Sequence, residues 1–69
     1  MREITWMLEY HHIDGRVEEQ YFNEYKDANE AFLSLGEEEK DIYAFVLLVE
    51  VNWAEHSEKI LNKISYKEE

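Results

Sequence analysis

The stretch Tyr43-Ala44-Phe45-Val46-Leu47-Leu48-Val49-Glu50-Val51-Asn52-Trp53 decides the fold, because it is the one segment apolar enough to be buried on both faces. Side chains alternate across a strand. The odd positions Tyr43, Phe45, Leu47, Val49, Val51 and Trp53 therefore form an unbroken apolar row, while the even ones are apolar at Ala44, Val46 and Leu48 and polar at Glu50 and Asn52. This predicts a strand over 42–52 on which the rest of the chain packs.

Working outward toward the N-terminus, residues 3–12 alternate, with Ile4, Trp6, Leu8 and Tyr10 on one side and Glu3, Thr5, Met7, Glu9 and His11 on the other. That is the pattern of a half-buried strand. Asp14-Gly15 marks a hairpin, and the chain returns over 16–24. A two-residue turn sets His12 opposite Val17, Tyr10 opposite Glu19, Leu8 opposite Tyr21 and Met7 opposite Phe22; a loop of odd length reverses the faces. Asp27 and Glu30 read as an N-cap and its capping-box partner for a helix over 27–36. Ala28, Ala31, Phe32 and Leu35 fall on one side of that helix, and Gly36 is placed to stop it. Downstream, Asn52 or Glu55 can start a second helix over 54–65, striped by Ser57, Ile60, Leu61 and Ile64.

The expected order is β-β-α-β-α: an α+β fold with a three-stranded antiparallel or mixed sheet and helices mainly on one face, in one domain of residues 1–69. A right-handed crossover lays the third strand beside the first, giving spatial order 2-1-3. The most apolar strand then lies at an edge, which proteins usually cover. The expectation is self-association through Phe45, Val46, Leu47, Leu48 and Val49 in a homodimer. The competing account has the C-terminal helix or the acidic connection Glu37–Asp41 cover that edge.

Composition narrows the function. Seventeen acidic against seven basic residues leave a formal charge of −10 on 69 residues, the wrong sign for gripping a phosphate backbone. Hydrophobic content of 45% with two Trp, five Tyr and three Phe argues for a folded chain. Cysteine is absent, so no thiolate metal site or disulfide is expected. No segment has the length of a membrane span or the layout of a signal peptide, and a cytoplasmic location is expected.

Chemical motifs are sparse. His11, His12 and Asp14 carry metal-binding groups, yet neighbouring residues on a strand point to opposite faces, so partly exposed strand-end histidines are expected and no metal. His56-Ser57-Glu58 has the residue types of a base, nucleophile and acid, but consecutive helical residues diverge by about 100°. The two glycines each have a turn or cap role, leaving no phosphate loop. The expectation is a binder without cofactor or catalytic residues.

Acidic residues give the distinctive signal: Glu18, Glu19, Glu24, Asp27, Glu30, Glu37, Glu38, Glu39 and Asp41 fall within 24 positions. One account is a solvated face that keeps a small protein soluble. The other is a set of carboxylates that imitates nucleic-acid phosphates and occupies a basic groove. With Phe22 and Met7 on the sheet face opposite Trp6, and Ala44, Val46 and Leu48 extending it, an apolar patch rimmed by acids would favour protein binding.

The strand Trp6-Met7-Leu8-Glu9-Tyr10, the Asp14-Gly15 turn, the return Gln20-Tyr21-Phe22-Asn23-Glu24-Tyr25, a helix around Phe32 and an apolar third strand resemble small acidic bacteriophage proteins. In particular, they are similar to the phage uracil-DNA glycosylase inhibitors of β-β-α-β build. The resemblance covers about two thirds of the chain, and residues 53–69 depart from it. It implies a homodimeric DNA mimic acting in a bacterial host, comparable in size and charge to anti-restriction, anti-CRISPR and RNA-polymerase inhibitors. The expected partner is a basic nucleic-acid-binding protein, with neither nucleic acid nor membrane bound directly. The charge contacts expected are Glu18, Glu19, Glu24, Glu37, Glu38, Glu39 and Asp41, with Phe22 and Tyr25 as apolar anchors. The alternative is a small self-assembling structural or regulatory module whose acidity serves solubility.

Overall fold

The computed structural model describes residues 3–66. Four strands, β1 (Ile4–His12), β2 (Val17–Phe22), β3 (Tyr43–Asn52) and β4 (Ser57–Ser65), form one antiparallel sheet of order β2-β1-β3-β4. A single α-helix, α1 (Tyr25–Leu33), and a 3-10 turn, Glu37–Asp41, connect β2 to β3. The fold is therefore a mostly β, four-stranded sheet with one helix. It is not the three-stranded β-β-α-β-α arrangement expected from the sequence.

The correction lies in residues 54–65, expected to be helical. Asn52 and Ser57 pair across the turn Trp53–His56, and β4 runs back along β3. Glu55 N–H donates to Asn52 Oδ1 at 3.1 Å, and His56 takes a left-handed φ of 56°. Asn52 thus serves the turn that a helix N-cap would have served, by the same side-chain-to-backbone bond. Ile60, Leu61 and Ile64 look helical in spacing because β4 bulges. Val49 pairs with Ile60 while the preceding Leu48 pairs with Asn62, leaving Leu61 as an extra residue.

This removes the premise for self-association through Phe45 to Val49. β3 is hydrogen-bonded to β1 on one side and β4 on the other, so it has no unpaired edge. The open edges belong to β2 and β4. They carry Glu18 and Glu19 on one and Lys59 and Lys63 on the other, charges of the kind that discourage further strand pairing.

The β1–β2 hairpin also departs from its expected register. Gly15 N–H donates to His12 O at 3.1 Å and His12 N–H to Arg16 O at 2.8 Å, which makes Ile13-Asp14-Gly15 a three-residue loop. Gly15 has φ 98°, the left-handed conformation that such a loop demands. The odd loop shifts the pairing by one residue: Met7 faces Tyr21 and Trp6 faces Phe22.

Leu8, Val46 and Leu48 of the sheet pack with Ala28 and Phe32 of α1 in the main core, and Trp6, Tyr10, Phe22, Leu61 and Ile64 surround it. At nine residues, α1 is shorter than helices that persist alone, so this packing holds it. It starts earlier than Asp27: Glu24 is the N-cap, with no side-chain capping bond, and Ser34 the C-cap. Gly36 instead precedes the 3-10 turn, where its N–H donates to Glu39 Oε1 at 2.7 Å.

Candidate functional site: the open sheet face

The helix lies over one side of the sheet, the side of Leu8, Val46 and Leu48. Alternation and register place Thr5, Met7, Glu9 and His11 of β1, Val17, Glu19 and Tyr21 of β2, Phe45, Leu47, Val49 and Val51 of β3, and Glu58, Ile60 and Lys63 of β4 on the other side. The odd row of the decisive stretch from Phe45 to Val51 thus faces away from the helix, whereas Tyr43, beyond a bulge opposite His12, packs on the helix side. Met7, Val49 and Val51 form a second buried cluster there, with Leu47 packed against it.

Among the described residues no helix covers this cluster, yet Met7 is only 1% exposed. Side chains from its own sheet shield it. Tyr21 stands directly across from Met7, and its ring lies 6.1 Å from that of Trp53. Trp53 is fixed by its indole N–H, which donates to Thr5 Oγ1 at 3.0 Å, and by its backbone N–H, which donates to Glu3 O at 2.7 Å. The two rings nevertheless remain half exposed, as do Val17 and Ile60 on the same face.

Charge surrounds this aromatic pair. Tyr21 donates its hydroxyl to Glu19 Oε1 at 3.2 Å. Desolvation by its surroundings, followed by the carboxylates of Glu19, Glu58 and Glu9, pushes the Tyr21 hydroxyl above its ordinary pKa. These acids come from β2, β4 and β1, so three strands contribute negative charge to one patch. At the far end of the face, His11 stacks on Phe45 at 4.1 Å and bonds Glu9 at 2.7 Å, and Lys63 Nζ sits 4.9 Å over the Phe45 ring.

The acidic residues singled out from sequence are divided by the fold. Glu19 lies on the open face, whereas Glu18 lies on the helix side and bonds His12 Nε2 at 2.9 Å. Glu24 caps α1, and Glu37, Glu38, Glu39 and Asp41 occupy the 3-10 turn. Phe22 is not on the open face as expected: it pairs with Trp6 and packs into the main core. Tyr25 opens α1 with its ring edge-on to Trp6 at 6.3 Å. Of the even row Ala44, Val46 and Leu48, expected to extend a binding patch, Val46 and Leu48 are core on the helix side instead, and Ala44 falls at the bulge between Tyr43 and Phe45. Tyr21 and Trp53, which alternation could have flagged once the loop length was known, take the place expected for Phe22.

Elsewhere the chemistry is thin. His11 and His12 point to opposite faces, and no group of three or more metal-binding side chains occurs among the described residues. His56 belongs to a turn, and Ser57 and Glu58 start β4 on opposite faces, so the three do not converge. A cleft of 480 Å³ between the 3-10 turn and the end of β4 is lined by Leu35, Glu37, Lys40, Ile64 and Tyr66. The Tyr66 hydroxyl is buried without a hydrogen-bond partner among the described residues. No helix of the described residues is long and apolar enough to cross a membrane. No family model matches the chain, no curated protein matches its sequence, and no solved structure matches it.

Proposed function

We propose that this chain is a non-enzymatic, acidic binding protein, of phage or mobile-element type, that blocks a basic nucleic-acid-binding protein in the cytoplasm of a bacterial host. Its carboxylates stand where phosphates would. The observation that supports this reading is the display of charge: among the described residues no charged side chain is buried, and one face of the sheet, apolar at its centre and carrying Glu9, Glu19 and Glu58, has no helix over it. Carboxylates held at a surface attract basic grooves over a Debye length of about 8–10 Å, and salt weakens that attraction.

The test is capture from bacterial lysate on the immobilised protein, followed by elution with salt and, separately, with duplex DNA. A basic nucleic-acid-binding protein released by both supports the reading. Retention that DNA does not displace, or no retention, overturns it. The self-assembling module remains the second reading, because Tyr21 and Trp53, with Ile60 and Val17 elsewhere on the same face, expose apolar surface. A dimer in sedimentation equilibrium that persists unchanged as salt rises would favour it.

A further inference from the structure

We propose that Tyr21 and Trp53, set among Glu9, Glu19 and Glu58 on the open sheet face, are the anchor that receives an arginine or lysine side chain from a basic segment of a partner protein. This rests on the binding-protein reading above and names its surface.

Three features carry the assignment. First, the rings are fixed before any partner arrives: Trp53 is tied to Thr5, Tyr21 is tied to Glu19, and Met7 beneath them is fully packed. A pre-ordered aromatic surface loses little side-chain freedom on binding. Second, the patch combines π faces with carboxylates. A guanidinium can stack on an aromatic ring while its N–H groups reach a carboxylate, and a carboxylate that already accepts one bond keeps acceptor capacity for another. The same face shows this affinity internally, since Lys63 already lies over Phe45 at its other end. Among the described residues no lysine or arginine occupies the Tyr21–Trp53 end in the same way.

Third, the charge selects the occupant. The face carries three acids, Glu9, Glu19 and Glu58, against one lysine, Lys63, which already lies over Phe45, so a second copy brings more like than opposite charge to this patch, and like charges across an interface are repulsive. A cationic segment meets complementary charge. Ile60, 61% exposed, lies in the same cross-strand row as Tyr21, and Val17, 51% exposed, lies further along the face beside His11, so apolar surface extends away from the anchor, which suits a peptide segment better than a free small cation.

The test uses a hexa-arginine peptide as probe, titrated into the 15N-labelled chain at low salt. The indole N–H of Trp53 should shift while that of Trp6, on the helix side, stays in place. Glu19→Gln with Glu58→Gln should weaken binding about tenfold, and Tyr21→Leu, which keeps an apolar body without the ring, about fivefold. Glu37→Gln with Glu38→Gln removes the same charge from the 3-10 turn and should change affinity less than about twofold. Each variant's own spectrum reports whether it is folded. Equal weakening by the two double variants, or movement of Trp6 in place of Trp53, overturns the assignment. The two proposals fail separately. A DNA-displaceable lysate partner whose capture ignores Glu19 and Glu58 sinks this one alone. Peptide binding at Trp53 without any such partner sinks the nucleic-acid-mimic reading alone.

Discussion

Leu47 and Leu48 are neighbours in sequence that the fold sends to opposite sides of β3, and truncating each to alanine should separate the two faces energetically. Leu48 is 1% exposed and packs with Leu8, Val46, Ala28 and Phe32 under the helix. Leu→Ala removes about three carbons at ~0.8 kcal/mol each. The cavity left under α1 raises the expected loss to about 3–4 kcal/mol. Leu47 is only partly buried, packed beside Met7, Val49 and Val51 with no helix above it, so its truncation should cost about 1 kcal/mol. Against a total stability of about 3–10 kcal/mol for a chain of this length, Leu48→Ala removes much or all of it. Urea unfolding followed by far-ultraviolet circular dichroism, with a slope near ~1 kcal/mol/M, should show the midpoint falling about 3 M for Leu48→Ala and about 1 M for Leu47→Ala. Equal losses, or a larger one for Leu47, would refute the placement of the helix over the even row.

Hydrogen exchange should protect alternate amides through 57–65, as one-sided pairing of an edge strand with β3 requires; protection of consecutive amides would restore a helix there. Gly15→Ala should destabilise by about 1 kcal/mol, since φ 98° disfavours any side chain although nothing crowds the added Cβ. His56→Gly should stabilise by up to about 1 kcal/mol by relieving φ 56°, and thermal melts moving the other way would contradict both turn assignments. The Asp14 carboxyl is held below its usual pKa, first by the Arg16 backbone N–H and further by the Arg16 guanidinium. Its contribution to stability is therefore present above the unfolded carboxyl pKa and lost as pH falls through the lowered value. Asp14→Asn should flatten that part of the acid limb, and a carboxyl 13C titration at the ordinary value would count against the contact. Glu19→Gln should bring the raised Tyr21 pKa down in a 295 nm absorbance titration, whereas an unchanged value would leave Glu19 without influence on the ring.

Strands β1 and β3 were legible because their alternation holds from Ile4 to His11 and from Phe45 to Asn52, breaking only at the bulge that turns Tyr43 to the helix side, and the neighbour relation 2-1-3 is the simplest placement of the crossover. The misreadings share one physical origin. A strand's face assignment depends on an exact count by two, and a single extra residue reverses everything beyond it without changing composition. The third residue of the Ile13-Asp14-Gly15 loop exchanged Tyr21 for Phe22, moving the aromatic available to a partner from the core side to the open side. The bulge at Leu61 did the same in β4, and it also converted a period of two into the spacing of Ile60, Leu61 and Ile64 that imitates a helical stripe. Trp53 was spared because it follows β3 without an intervening irregularity. It therefore stayed in the odd row where alternation had put it. The acidic residues were legible as a number but not as a surface. Glu18 and Glu19 are adjacent in the chain, yet one holds His12 on the helix side and the other holds Tyr21 on the open side. Charge density along a sequence becomes a recognition surface only through the parity of the strand that carries it, so Glu19→Gln and Glu18→Gln should differ in their effect on a bound cation although they remove the same charge at neighbouring positions.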